Sequence, residues 1–300
     1  MKKILLQLDT DRFASPFDRI VALDAGADAV TGYGGVRCGD VRGLVQGAMF
    51  TRGAGDLAGL AVWIGGSDAD EGERMLEQVR QAFFGPFRMS VMLDSNGCNT
   101  TASAAVALLG RRALPAGQRA LVIGPGPVGV RAALLLAGEG CRVVLAPVPR
   151  GLLGDRYDRE LAGRTLGNAR RAAAAFSAAG GGTLEVAGAG DGSDLDRLLD
   201  GAGIVCAAGP AGLRLLPRAS WEDRPGLGWL VDFNLVEPLG IEGVRPEDDG
   251  ADRGGRRMLG ALAIGNFKMK VHKACVAGLF EANDRVLDAG GVYRVARGLL

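Results

Sequence analysis

The chain has 300 residues, 48% of them hydrophobic, with 35 Lys plus Arg against 34 Asp plus Glu. That length and apolar content suffice for one large or two medium globular domains. The near balance of charge excludes a global attraction to nucleic acid or to an anionic membrane, so any anion site must be local. No apolar run reaches bilayer-spanning length, and the run after Lys2-Lys3 is too short for a signal core, which predicts a cytoplasmic protein with no membrane partner.

The five cysteines (Cys38, Cys98, Cys141, Cys206, Cys275) include no C-x-x-C pair and are odd in number, which suits reduced, mostly buried thiols. His272 is the single histidine. It excludes a multi-histidine metal site and leaves any Ser-His-Asp or Cys-His scheme to one position, so no metal is expected. The 49 glycines and 12 prolines are interleaved with continuing apolar runs, which reads as many tight turns rather than disorder.

In chain order, Lys3 to Leu8 reads as a first strand. Ser15-Pro16-Phe17-Asp18 opens a helix, with Ser15 as N-cap and Pro16 at the first helical position. Asp18 then falls in the first turn, where the helix dipole favours a carboxylate; the alternative is a ligand role. Ala27 to Gly35 reads as a strand running into a turn. Val45 to Thr51 and Leu60 to Ile64 are short apolar segments. Met75, Leu76, Val79, Ala82 and Phe83 set a helical period over Asp70 to Phe84, and Phe87 to Leu93 follows as a strand. The alternation predicts an α/β amino-terminal domain of roughly one hundred residues.

Asp94-Ser95-Asn96-Gly97-Cys98-Asn99-Thr100-Thr101 then places a cluster of hydrogen-bonding side chains between that strand and a helix of small apolar residues, Ala102 to Leu109. Ligands collect beyond the carboxyl ends of strands in open α/β sheets, so Asp94, Asn96, Asn99, Thr100 and Thr101 are candidate substrate-binding residues. The plainer alternative is that Asn99 or Thr100 caps the helix. Pro115-Ala116-Gly117 reads as a hinge.

From Arg119 the chain reads as one βαβ unit: a strand over Leu121 to Ile123, a tight turn, a helix over Val130 to Gly138, and a strand over Cys141 to Leu145. The turn Gly124-Pro125-Gly126-Pro127-Val128-Gly129 has the spacing G-x-G-x-x-G. There the first glycine permits the bend, the second lets a pyrophosphate approach and the third lets helix and strand pack. Free N–H groups at the helix start then face the phosphates. The second strand ends without the carboxylate that binds a ribose hydroxyl, and Arg150 and Arg164 are both available for a 2′-phosphate. NADP is therefore expected, with NAD possible.

A helix follows from about Asn168 to Ala179, then a short one over Asp194 to Leu199. Ile204 to Pro210 reads as a strand ending in a small-residue turn, where Ala208 and Gly209 leave room for a nicotinamide ring. Trp229 to Phe233 is the next strand, with Asp232 and Asn234 as further cofactor candidates at its end. The last large element runs from about Phe267 to Glu281. It carries Lys268, Lys270 and Lys273 near its start, an unfavourable place for cations on the helix dipole.

The strings QLDTD (Gln7 to Asp11), SPFD (Ser15 to Asp18), TGYG (Thr31 to Gly34), FFGPFR (Phe83 to Arg88), MLDSNGCNTTA (Met92 to Ala102), GPGPVGVR and KMKVHKAC (Lys268 to Cys275) resemble the NADP-dependent methylenetetrahydromethanopterin dehydrogenases of methylotrophic bacteria. The resemblance implies two α/β domains, the second a Rossmann-like doubly wound parallel sheet, with the active site in the cleft between them. The domains would be residues 1–105 plus 266–300, with a returning carboxy-terminal helix, and 106–265. It also implies oxidation of a methylene bridge on a tetrahydropterin, in an assembly of identical subunits. The chain departs from the family pattern by inserting Pro147 to Ala162 after the second Rossmann strand. Spacing then nominates Arg150 for the 2′-phosphate, and residue matching nominates Arg164.

The family match makes Lys268 the candidate catalytic residue. Two like charges about 4 Å apart repel by roughly 4 kcal/mol at an effective dielectric of 20, so Lys268 suits a bond to a pterin carbonyl better than direct contact with a cationic product. Asp18 or Asp94 would offset that charge or hold the aminopyrimidine edge through paired hydrogen bonds. His272, one turn after Lys268, is either a substrate contact on the same face or a packed helix residue. A methylenetetrahydrofolate dehydrogenase and a non-catalytic NADP sensor are the alternative functions.

Overall fold

Strand and helix alternate from the first element onward in the structure, a computed structural model that describes residues 1–111, 114, 117–188 and 194–300. Pro115 and Ala116 of the expected hinge lie outside the described residues. The first series is β1 (Ile4–Asp9), α1 (Pro16–Asp24), β2 (Ala29–Tyr33), α2 (Cys38–Met49), β3 (Leu60–Gly65), α3 (Ala69–Ala82), β4 (Ser90–Leu93) and α4 (Cys98–Gly110). The second begins with β5 (Arg119–Ile123), α5 (Pro127–Gly138), β6 (Arg142–Ala146), α6 (Arg150–Leu153), α7 (Arg159–Ala178) and β7 (Leu184–Val186). It continues through α8 (Asp194–Leu199), β8 (Ile204–Ala207), β9 (Trp229–Asp232), β10 (Asp249–Arg253) and β11 (Arg256–Leu259). The chain then passes through α9 (Ala261–Leu279), β12 (Val286–Leu287) and α10 (Ala289–Gly298). It divides into two compact units, Met1–Thr100 with Lys268–Leu300, and Thr101–Phe267.

The first unit holds a parallel sheet in the order β12-β4-β3-β1-β2. Leu8, Val62, Ile64, Val91 and Leu93 pack with Val41, Val45 and Met49 of α2 and Met75, Leu76 and Val79 of α3 in one buried cluster. Each such side chain contributes ~1.5–3 kcal/mol by leaving water. Because successive residues of a strand face opposite ways, the intervening positions form the other face. Register aligns Gln7 with Trp63 and Asp9 with Gly65 there. One face is thus wholly apolar, and the other carries polar groups in the middle of buried strands.

The second unit holds the order β10-β11-β9-β8-β5-β6-β7, parallel except for the antiparallel β10–β11 pair. β5 lies between β6 and β8, so chain order reverses at the glycine turn, the topological switch point where open α/β sheets bind ligands.

Four expected boundaries move. The apolar run from Val45 belongs to α2, whose fully buried Val41, Val45 and Met49 recur every four residues; the glycines between them, poor helix formers, mask the period. α4 begins at Cys98 and takes Asn99, Thr100 and Thr101 into its first turn. α7 begins at Arg159 rather than near Asn168, capped by the Asp158 side chain. α9 begins at Ala261, so Lys268, Lys270 and Lys273 sit in its interior and the conflict with the helix dipole does not arise.

Candidate active site and dinucleotide turn

The polar face of the first unit is built from the turn that ends β1. Asp9 is fully buried, and its carboxylate accepts the N–H groups of Asp11 and Ser15, each at 2.9 Å. Ser15 caps α1 as expected, its hydroxyl accepting the Asp18 N–H at 3.2 Å. This relay sets Asp18 over the end of β3. A Cβ on Gly65 would stand 3.0 Å from Asp18 Oδ2, 3.6 Å from Asp9 Oδ2 and 3.8 Å from Trp63 Nε1. Two carboxylates and an indole N–H therefore converge where the glycine leaves space.

Asp94, at the end of β4, is buried, and Thr100 donates to it twice, from N–H (2.9 Å) and from Oγ1 (2.6 Å). The Asn99 amide donates to the Leu93 carbonyl at 2.6 Å. Asn99 and Thr100 are fully buried and bonded to their own loop, so neither presents its side chain to a ligand, contrary to the sequence expectation. The structure gives them the local hydrogen bonds that Asn and Thr side chains readily make. Asn96 is exposed, in a left-handed conformation (φ 56°), with its N–H on the Gly66 carbonyl at 2.6 Å. Thr101 is half-buried within α4.

Half-buried Lys268 reaches this loop from α9. A side chain on Gly97 (φ 57°) would collide with its Nζ, so glycine there makes room for the ammonium group. Burial, then the charges of Asp94 and Asp9, push the Asp18 pKa up to about 7, against the opposing influence of Lys268 and Ser15. Burial likewise raises Asp94, opposed by Lys268 and by the Thr100 hydrogen bonds.

His272 is 1% exposed, its ring 4.4 Å from that of Trp63 and 6.2 Å from that of Phe17. Burial and the charge of Lys268 push its pKa down to about 3, so the ring is neutral at ordinary pH. Its Nε2 lies 3.9 Å from Asp94 Oδ2, so the ring is packed beside the carboxylate of the loop. Sequence reasoning missed Gln7 and Trp63. Gln7 Oε1, Trp63 Nε1 and both His272 nitrogens are buried without hydrogen-bond partners among the described residues. Such atoms are rare in native interiors, and here they share one face. The available signal was Gln7 and Asp9 alternating within an apolar strand.

In the second unit the three glycines of the turn differ in what surrounds them. Gly124 has φ 108°, and a Cβ there would stand 2.6 Å from the Ala208 carbonyl carbon. A Cβ on Gly129 would overlap the Gly124 carbonyl oxygen, whereas one on Gly126 meets nothing within 4 Å. The turn is thus packed at its first and third glycines and open at its second. α5 starts at Pro127, and its first intrahelical bond is Val130 N–H to Gly126 O at 2.9 Å, which leaves the Val128 and Gly129 amides at the helix start. These groups fit a dinucleotide pyrophosphate, with half-buried Pro125 and Pro127 beside it and half-buried Ala208 and Gly209 across the turn.

Asp232 and Asn234 do not fit their expected role. Asp232 is 1% exposed, and its oxygens accept the N–H groups of Asn234 (2.9 Å) and Ile241 (2.8 Å). Asn234 accepts from Val236 N–H at 3.1 Å and donates to the Pro238 carbonyl at 3.3 Å. Both side chains hold the 233–241 loop, and Asn234 also accepts the Gly212 N–H at 3.4 Å. Arg150 is exposed at the first residue of α6, and Arg164 is exposed in the second turn of α7.

Among the described residues no cluster of three or more His, Cys, Asp or Glu is arranged to hold a metal ion, and no helix is long and apolar enough to cross a membrane. Burial raises the thiols of Cys38, Cys141, Cys206 and Cys275, the last two to about 12.

Comparison with known proteins gives two relatives from Methylorubrum extorquens. The protein called Bifunctional protein MdtA is 42% identical over 296 residues, covering 99% of this chain and 98% of that one. An NAD(P)-dependent methylenetetrahydromethanopterin dehydrogenase is 31% identical over 320 residues, covering 98% of each. The profile of the N-terminal region of methylene-tetrahydromethanopterin dehydrogenase matches residues 16–96. Among solved structures, quinate dehydrogenase from Corynebacterium glutamicum in complex with NAD shares the fold, with a TM-score of 0.54 at 13% identity over 98% of this chain and 99% of that one.

Proposed function

The chain belongs to the methylenetetrahydromethanopterin dehydrogenase family, and on that premise we propose that it oxidises methylenetetrahydromethanopterin to the methenyl form with NADP as acceptor. The observation that carries the reading is the meeting of Lys268, Asp18 and Asp94 on the polar face of the first unit, from segments far apart in sequence.

The reacting carbon lies between two nitrogens, whose lone pairs expel its hydride as a delocalised amidinium forms, so no general base is needed. NADP, when bound at the glycine turn, supplies the hydride acceptor. The protein's part is to orient the pterin and to match the charge that develops on it. Asp94, with Thr100 donating to both of its oxygens, is held within the electrostatic reach of Lys268, whose charge opposes the effect of burial on the carboxyl. Lys268 donates to a pterin carbonyl. Asp18, the more accessible carboxylate, takes the aminopyrimidine N–H donors and offsets the amidinium charge. When protein, methylenetetrahydromethanopterin and NADP are mixed, NADPH and the conjugated methenyl product should appear in equal amounts; NADP reduction without that chromophore would contradict the reading.

With a pKa of about 7, Asp18 gains its charge as pH rises through neutrality. The carboxylate is the form that binds and that offsets the product charge, so kcat/KM for oxidation should rise with pH and level off above 7. Asp18→Asn should flatten that limb and raise KM by about ten- to a hundredfold, the cost of losing a hydrogen bond to a charged group. An unchanged pH profile in the variant would remove Asp18 from the site.

The protein is further assigned to the cytoplasm, where its free cysteines suit a reducing compartment. It is also assigned as a homo-oligomer. Phe17, Ile20 and Leu23 of α1, exposed by 50%, 59% and 43%, offer one apolar helix face for assembly.

A further inference from the structure

Residues 147–158, the first part of the insertion expected over Pro147 to Ala162, make contacts that their length alone does not require. In sheet order β5 lies between β6 and β8, so the glycine turn leaving β5 stands between the loops that leave β6 and β8. The segment departs from the first of those loops and is fastened to the second. The Arg156 guanidinium donates to the carbonyls of Ala211 (3.1 Å) and Gly212 (3.4 Å). Val148 Cγ2 would stand 3.2 Å from a Cβ on Gly209. The same post-β8 loop is held from its other side by Gly212 N–H on Asn234 Oδ1, at 3.4 Å. The segment therefore joins the two flanks of the dinucleotide turn.

Arg150 stands at the head of this segment, just beyond the carboxyl end of β6. Its guanidinium carbon lies 4.8 Å from the centroid of the Tyr157 ring, and among the described residues it has no carboxylate partner. A cation over an aromatic face is confined in position without being neutralised. Arg156 differs, since its donors are committed to backbone carbonyls. Arg164 also differs, because it lies within the long helix α7, a full insertion away from the strand end. A phosphate monoester wants a charged, forked donor held at its position beforehand. Arg150 meets that description.

Resting on the dinucleotide reading above, we propose that residues 147–158 form a strap across the dinucleotide turn, pinned by Arg156, and that Arg150, braced on Tyr157, selects the cofactor carrying a 2′-phosphate. Calorimetric titration of the full chain with 2′,5′-ADP and with 5′-AMP reads that phosphate apart from turnover. The wild type should prefer 2′,5′-ADP. Arg150→Ala should lose about 10- to 100-fold in affinity for 2′,5′-ADP and little for 5′-AMP. Tyr157→Leu should show a smaller loss of the same preference, Arg156→Ala should weaken both nucleotides alike, and Arg164→Ala should keep the preference. A wild type without preference, an Arg150→Ala protein that retains it, or an Arg164→Ala protein that takes the whole loss would overturn the assignment. A chain that shows the expected preferences but oxidises no methylene pterin would uphold the strap and overturn the catalytic reading.

Discussion

Lys268→Ala is expected to lower kcat by ~10²–10³-fold, the usual cost of removing one preorganised donor from a site where charge develops, while the affinity for NADP is unchanged. The separation follows from placement. Lys268 Nζ packs against Gly97 within the influence of Asp18 and Asp94, all in the first unit. The glycine turn and its helix start belong to the second unit. Removing the ammonium also leaves Asp94 buried without its cation, so its pKa should rise further. Lys268→Arg keeps a charge, but its planar fork is larger than the space beside Gly97 allows, and it should rescue little. Steady-state kinetics paired with calorimetric NADP titration check this. Equal loss of turnover and NADP affinity, or loss of neither, would contradict the role.

Gly129→Ala is expected to abolish dinucleotide binding and to lower Tm, whereas Gly126→Ala should abolish binding with Tm kept. The difference lies in what each new methyl group meets. At Gly129 it overlaps the Gly124 carbonyl oxygen, a backbone atom that cannot rotate away, and it would also stand 3.1 Å from the Gly124 carbonyl carbon and 3.3 Å from Ala208 Cβ. The turn must then open between Gly124 and Gly129, and overpacking of this kind costs about 1–3 kcal/mol or more. At Gly126 nothing of the protein lies within 4 Å, so the fold does not register the change. The methyl group instead occupies the space through which a pyrophosphate reaches the Val128 and Gly129 amides. Thermal melts and nucleotide titration of the two variants separate these effects. A Gly129→Ala protein with a normal Tm, or a Gly126→Ala protein that binds NADP normally, would contradict the reading of the turn.

The glycine turn was legible from sequence because its requirements are backbone requirements. A positive φ at Gly124 and a close approach at Gly129 restrict the residue type directly, and the flanking strand and helix supply the context. Ser15 and Pro16 were legible for a related reason, since capping is a local interaction. Polar residues at strand ends were not. Asp232 and Asn234, like Asn99 and Thr100, look like ligand residues in a linear reading, yet Asp232 and Asn234 accept N–H groups of their own loop, and Asn99 and Thr100 donate to the carbonyls of Leu93 and Gly97. Short polar side chains compete for nearby backbone N–H and carbonyl groups, and only the folded loop reveals which of them they take. Trp63 was invisible because a tryptophan in an apolar strand reads as core. Its significance comes from β1 beside it and α9 above it, neither of which is near it in sequence. Lys268 was reached through the family strings. Its apparent place at a helix start came from taking α9 to begin six residues too late, at Phe267 instead of Ala261.

The central claim is that this chain passes hydride from a methylene tetrahydropterin to a nicotinamide dinucleotide. Its most direct test is to mix the purified protein separately with methylenetetrahydromethanopterin or methylenetetrahydrofolate and with NADP or NAD, and to follow reduced nicotinamide by absorbance. The fastest reduction is expected with methylenetetrahydromethanopterin and NADP. No reduction in any of the four mixtures would contradict the claim.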